Sequence, residues 1–75
     1  MNYELYFQFL DREKELYKII TDNKQKNNCL NLIQNDILPS LSIIYDLADK
    51  TNKFTLTYLN DKIYYYKYLI NKMKF

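Results

Sequence analysis

Few residues in this sequence could do chemistry, and their types exclude the commonest catalytic sites. Cys29 is the only cysteine, and histidine is absent from the chain. Without an imidazole, which is the commonest general base and metal ligand, Cys29 cannot form a Cys–His pair and neither Ser40 nor Ser42 has a base to activate it. A single thiol is also too few for a structural zinc site. We expect Cys29 to be a small apolar side chain near the start of a helix.

Carboxylates are the remaining candidates for a catalytic or metal site. Asp46 and Asp49 would lie one turn apart on a helix, and Asp11 and Glu15 share a polar row near the N-terminus. Di-metal sites in helical bundles use Glu-x-x-His pairs, and phosphate-binding loops use glycine, which the chain lacks. Solvated helix faces explain these acids better. The sequence therefore predicts no enzyme activity, no cofactor and no metal site.

Length and composition indicate one small packed domain. The chain has 75 residues, of which 48% are hydrophobic, so residues 1–75 are expected to fold around one core. A lone cysteine excludes an internal disulfide. The first residues lack the pattern of a secretion signal, and no apolar run approaches the roughly 20 residues that span a bilayer. We expect a protein without a membrane span in the cytoplasm of a cell or an infected host cell.

The elements that position these residues are predicted to be three helices in an all-α antiparallel bundle. The chain has no glycine and one proline, Pro39, which argues against a β-rich fold because hairpin turns rely on glycine. The predicted helices cover about 3–23, 28–50 and 52–74. The segments between them contain asparagines, which tolerate left-handed backbone: Asn23, Asn27, Asn28 and Asn52.

Apolar residues recur every three or four positions in the first two predicted helices. The first has an apolar face with Glu13 and Arg12 within or beside it, where their stems can cover the core. This face comprises Leu5, Tyr6, Phe9, Leu10, Leu16, Tyr17, Ile19 and Ile20. The second is predicted to begin at an Asn28 cap and to kink at Pro39. Its core row comprises Leu30, Ile33, Ile37, Leu41, Ile44 and Ala48.

The last third of the chain permits two interpretations. A heptad-like row predicts a helix: Leu56, Leu59, Ile63, Tyr66, Ile70 and Met73. Phe54, Leu56 and Tyr58 also alternate with threonines, so a turn at residues 60–61 would instead give a C-terminal β-hairpin and an α+β fold. The helix is favoured because the row continues to the C-terminus and the turn lacks glycine.

The same third of the chain is basic and rich in tyrosine. Residues 50–75 contain six lysines and one acid, Asp61, for a net charge of +5, whereas residues 1–49 contain five bases and eight acids. In a helix, Tyr64, Tyr65 and Tyr68 would lie opposite the heptad row, with Lys72 and Asp61 flanking them. Tyrosine is enriched in binding hot spots. We therefore predict that Tyr64, Tyr65, Tyr68 and Lys72 contact a protein partner.

Two functions follow from this pattern. The first is a small non-catalytic protein-binding module. Such a module would be an inhibitor, regulatory or immunity-type accessory protein of a phage or mobile element. Its partner could also be a second copy of the chain, which would give a homodimer. The alternative is nucleic-acid binding, in which Lys62, Lys67 and Lys72 contact phosphates and tyrosines stack on bases. The single arginine weighs against the alternative. Ten lysines and nine tyrosines also reflect the codon usage expected of an A/T-rich genome.

Overall fold

A computed structural model describes residues 3–74 as three helices packed around one core, which confirms the predicted all-α bundle. Helix α1 covers Tyr3–Ile19, and α3 covers Lys53–Lys74. Between them, α2 covers residues 26–47 in three consecutive stretches. No strand occurs within residues 3–74, so the β-hairpin alternative is wrong. None of these helices is long and apolar enough to cross a membrane.

The first connection begins earlier than the sequence predicted. Helix α1 ends at Ile19 because Asp22 starts a separate turn: its carboxylate accepts a hydrogen bond of 3.0 Å from the backbone N–H of Lys24. A single 3₁₀ turn follows at Asn23–Gln25. A short acidic side chain competes with the helix for backbone donors in this way. The predicted α1 was therefore four residues too long.

The start of α2 also differs from the prediction. The helix begins at Lys26, directly after the 3₁₀ turn, so Asn28 is inside it and is not its cap. The Asn28 side chain donates to the side-chain oxygen of Gln25 at 2.5 Å. Because the 3₁₀ turn already carries helical backbone into α2, no capping side chain is needed at residue 28.

The second connection depends on side-chain oxygens. Helix α2 ends at Leu47, three residues before the predicted end, because Ala48 has extended backbone, with φ −73° and ψ 151°. Asn52 then accepts a bond of 3.1 Å from the backbone N–H of Thr55, which caps α3. No residue within 3–74 has positive φ, so the left-handed backbone expected of the asparagines is wrong. Asn28 and Asn52 instead contribute side-chain hydrogen bonds.

A π-helical turn at Ile33–Ile37 interrupts α2 and ends just before Pro39. The backbone N–H of Leu38 donates to the carbonyl of Ile33, five residues back. Proline has no N–H, and in a regular α-helix its ring clashes with the carbonyl four residues earlier. The wider turn accommodates the proline. The helix therefore continues through Pro39, as predicted, and its irregularity is this turn.

Most of the core comes from the predicted apolar rows, but Cys29 is buried in place of the half-buried Leu30, and Tyr17 is 47% exposed. Fully or almost fully buried side chains come from all three helices: Phe9, Leu16, Cys29, Ile33, Ile37, Leu41, Ile44, Ala48, Leu59, Tyr66 and Ile70. Helix α2 packs against both α1 and α3. Among residues 3–74, the face of α3 opposite its core row is largely exposed, and Tyr58 on that face contacts Tyr6 of α1.

Candidate protein-contact surface

The predicted tyrosines lie on the outer face of α3. Tyr64 is 77% exposed, Tyr68 is 49% exposed and Tyr65 is 38% exposed. Leu59 and Ile70, on the other side of the helix, are buried in the core. Since α3 is one continuous helix from Lys53 to Lys74, its backbone fixes all three tyrosines on one rigid face.

Contacts within the chain hold two of these tyrosines in place. The Tyr65 ring packs edge-on against the buried Tyr66 ring, with centroids 5.2 Å apart. The Lys72 ammonium lies 5.4 Å from the centroid of the Tyr68 ring, within cation–π range. Lys72 itself is exposed. The four residues predicted to bind a partner are therefore close together and accessible.

A second heptad-spaced row on the outer face of α3 includes residues that sequence reasoning missed. Its members recur at steps of four and three, and we call them the outer seam: Phe54, Tyr58, Asp61, Tyr65, Tyr68 and Lys72. Phe54 is 92% exposed, which is exceptional for so large an apolar side chain. Counting heptads on both faces of α3 would have found this row. Tyr64 lies beside it.

Aromatic side chains of α1 extend this surface. The Tyr6 and Tyr58 hydroxyls are 3.1 Å apart, and their rings meet edge-on at 6.2 Å. Tyr3 and Phe7 are exposed on α1, with ring centroids 6.4 Å apart. A shallow hollow between the two helices is lined by Tyr3, Tyr6, Asn52, Phe54, Thr55 and Tyr58. The aromatic surface thus covers one end of the bundle as well as α3.

The buried carboxylate of Glu13 links α1 to α3 by hydrogen bonds. Glu13 is 8% exposed. One of its oxygens accepts hydrogen bonds from the Tyr66 hydroxyl at 2.5 Å and from the Lys62 ammonium at 2.9 Å. We call Glu13, Lys62 and Tyr66 the Glu13 cluster. The sequence indicated that Glu13 lies at the edge of the apolar face, but its two partners on α3 were not predicted.

The cluster shifts the pKa values of both α3 residues. Burial, together with the hydrogen bond to Glu13, raises the pKa of Tyr66 well above its ordinary range. Burial alone would lower the pKa of Lys62, but the hydrogen bond and negative charge of Glu13 outweigh it, so the pKa is raised. Both partners therefore hold their protons firmly in the folded protein.

The lysines proposed for nucleic-acid contact do not form one track. Lys62 is engaged in the Glu13 cluster. Lys67 and Lys72 are exposed, but each is five residues from the preceding lysine of the set. Five residues rotate an α-helix by about 140°, so the three ammonium groups leave α3 in different directions. A phosphate backbone lying along one face of the helix would therefore not meet all three of them.

The remaining groups that could react are Cys29 and the acidic side chains outside the Glu13 cluster. Burial, with the nearby charge of Asp22, raises the pKa of the Cys29 thiol, which disfavours the nucleophilic thiolate. Among residues 3–74, no three His, Cys, Asp or Glu side chains come together to hold a metal ion. Every buried side-chain nitrogen or oxygen in that range has a hydrogen-bond partner.

Comparisons with known proteins were made at three levels: family models, curated proteins and solved structures. None of them finds a match. The most distinctive surface feature of the described residues is the outer seam with Tyr64 beside it.

Proposed function

We propose that this protein is a non-catalytic protein-binding module that binds a helix of its partner along the outer seam of α3. The observation that carries the proposal is the exposure of Tyr64, Tyr65 and Tyr68 on a helix whose opposite face is already buried. Tyrosine supplies a large, rigid and amphipathic contact area, and it is common among hot spots.

The spacing of the outer seam supports a helical partner. Steps of four and three keep one face turned toward a neighbouring helix over several turns, as in coiled coils. The helix is also long enough, since α3 has 22 residues and thus extends for about 33 Å. A domain of this size has a small core, so covering this face would add substantially to its buried apolar area.

A module of this kind acts by occupying a surface of its partner. The proposed class is an inhibitory, regulatory or immunity-type accessory protein of a phage or mobile element, which would act in this way without catalytic residues. The raised pKa of Cys29 and the hydrogen-bonded state of Glu13 agree with the non-catalytic part of the proposal, since both groups have structural surroundings.

Replacing Tyr64, Tyr65 and Tyr68 together by serine is expected to abolish partner binding while the helices remain folded. A central hot-spot side chain contributes about 2 kcal/mol, or roughly thirtyfold in Kd, and three are removed. Affinity capture from the source cells identifies a foreign partner, and calorimetry with the purified partner then measures Kd. Light scattering after size-exclusion chromatography measures self-association. Circular dichroism reports the fold.

Ile43→Ser is the matched control, because Ile43 is 50% exposed and lies on α2, away from the outer seam. It should bind like wild type. Because Tyr65 packs against Tyr66, the double variant Tyr64→Ser/Tyr68→Ser provides a version that leaves this contact intact. Unchanged binding by both tyrosine variants would contradict the proposal.

The nucleic-acid alternative is tested with labelled single-stranded and duplex oligonucleotides at low and physiological salt. Phosphate contacts would give an affinity that falls steeply with salt. Micromolar binding that is lost in Lys67→Gln/Lys72→Gln, with no protein partner found, would replace the proposed function by this alternative. No binding at low salt eliminates it.

A further inference from the structure

The tyrosine section of the outer seam has charges of opposite sign at its two ends. Asp61 precedes Tyr65, and Lys72 follows Tyr68, with steps of four, three and four between successive residues. Asp61 and Lys72 are both exposed. They are eleven residues apart along one helix, or about 16 Å, which is too far for an ion pair within the chain. Within residues 3–74, neither forms an ion pair with any other charged group.

This pattern is self-complementary when two copies of the helix run antiparallel, because the steps read the same in both directions. With Asp61 of one copy opposite Lys72 of the other, Tyr65 lies opposite Tyr68. The twofold axis repeats both pairs on its other side, as in an isologous interface. Tyrosines then form the centre of the interface, and salt bridges form its two ends. This is the usual division of an interface into an apolar core and a polar rim.

We infer that the partner of the outer seam is a second copy of this chain, with its α3 antiparallel and its register set by two reciprocal Asp61–Lys72 salt bridges. The inference rests on the proposed function and names its partner.

Charge disfavours the competing arrangements. In a parallel pair in register, Asp61 would face Asp61 and Lys72 would face Lys72. An antiparallel pair shifted by one heptad toward the N-terminus of α3 would place Asp61 against Tyr65 and Phe54 against Lys72, which removes both salt bridges. Like charges in contact are costly, and charged rims select register and partner more than they add affinity. One arrangement therefore satisfies both the tyrosines and the charges.

Charge reversal at both ends of the tyrosine section tests this register. Asp61→Lys places two like-charged pairs in each dimer, and so does Lys72→Glu. Each single variant should weaken dimerisation at least about tenfold. The double variant exchanges the two charges and should dimerise like wild type. An equimolar mixture of the two single variants should form a heterodimer, because every pair is then again of opposite sign.

Sedimentation equilibrium over a concentration series measures these dissociation constants, and a tag on one single variant detects the mixed dimer. Lys67→Glu is the control, since Lys67 is exposed on α3 but lies outside the seam. It should leave the dissociation constant unchanged. The effect of the two single variants should diminish at high salt because the pairs are exposed.

The outcomes separate this inference from the proposed function. A wild-type chain that remains monomeric at millimolar concentration overturns the inference. Dimerisation that Tyr64→Ser/Tyr68→Ser abolishes but the charge reversals leave unchanged overturns the register. In both cases a separate result tests the proposed function: the tyrosine variants must lose binding to a protein partner.

Discussion

Glu13→Ala is expected to lower the free energy of unfolding by about 2–4 kcal/mol. The substitution leaves the buried Tyr66 hydroxyl without its acceptor and the Lys62 ammonium without its counter-charge. Removing one member of a fully buried ion pair costs about 3–5 kcal/mol. The expected value is somewhat lower because the Lys62 side chain keeps 26% of its exposure to water. Chemical denaturation followed by circular dichroism measures the change.

This loss is large for so small a domain. Native proteins are stable by about 0.05–0.15 kcal/mol per residue, so a chain of this length has only several kcal/mol in total. Thermal melting should shift downward by about 10 °C or more. Glu15→Ala is the control on the same helix. Glu15 forms an exposed pair with Arg12 at 3.7 Å, and such pairs contribute at most about 1 kcal/mol.

A rescue variant distinguishes the charge of Glu13 from its packing. In Glu13→Leu/Lys62→Met/Tyr66→Phe, apolar side chains of similar size replace the whole cluster, and no donor or charge is left unpaired. Its stability should return to within about 1 kcal/mol of wild type. If Glu13→Ala is as mild as Glu15→Ala, the Glu13 cluster does not stabilise the fold.

The second large effect is unfolding at alkaline pH. Burial and the hydrogen bond to Tyr6 raise the pKa of Tyr58, and burial and the Glu13 hydrogen bond raise that of Tyr66. The pKa of Lys62 is also raised. In the unfolded chain these groups lose their protons near pH 10 to 10.5, roughly their ordinary values. Above that pH the folded state therefore holds more protons than the unfolded state, and stability falls as the pH rises.

Each retained proton contributes a slope of about 1.4 kcal/mol per pH unit, so three together give up to about 4 kcal/mol per unit. Stability should be unaffected by these groups below about pH 10 and should be lost within roughly two units above it. Circular dichroism follows the helices during titration. Absorbance at 295 nm follows phenolate formation, and the ionisation of Tyr58 and Tyr66 should coincide with helix loss.

Tyr66→Phe removes one of the three protons, so the alkaline slope should decrease by about 1.4 kcal/mol per unit. Tyr64→Phe is the matched control, because it removes the same hydroxyl from an exposed position on the outer face of α3. A folded, fully helical protein in which every tyrosine has ionised would contradict the burial of Tyr58 and Tyr66.

The sequence was sufficient to predict features that depend on local periodicity. The core residues of α3, such as Leu59, Tyr66 and Ile70, recur at helical spacing, and the structure buries them. The exposure of Tyr64 and Tyr68 follows from the same periodicity. Helix ends were predicted less well. They depend on competition between the helix and individual side chains such as Asp22, which accepts a backbone bond beyond the end of α1.

Contacts between helices could not be predicted from the sequence alone. Glu13 was placed beside the apolar face, but its burial depends on which α3 side chains meet it when α1 crosses α3. Similarly, the sequence alone indicates that Lys62 is an ordinary exposed lysine. Only the packed structure places its ammonium 2.9 Å from the Glu13 carboxylate. The contact between Tyr6 and Tyr58 also depends on how α1 packs against α3. The same packing extends the aromatic surface onto α1.

The π turn of α2 reveals how this helix departs from a regular heptad. Five buried residues of α2 and Ala48, which directly follows it, form one series: Cys29, Ile33, Ile37, Leu41, Ile44 and Ala48. They are separated by steps of four, four, four, three and four, and repeated steps of four drift by about 40° each around an α-helix. One residue fewer between Ile33 and Ile37 would turn the series into alternating fours and threes. The helix thus contains one surplus residue, and the π turn absorbs it so that both halves of α2 keep the same face toward the core.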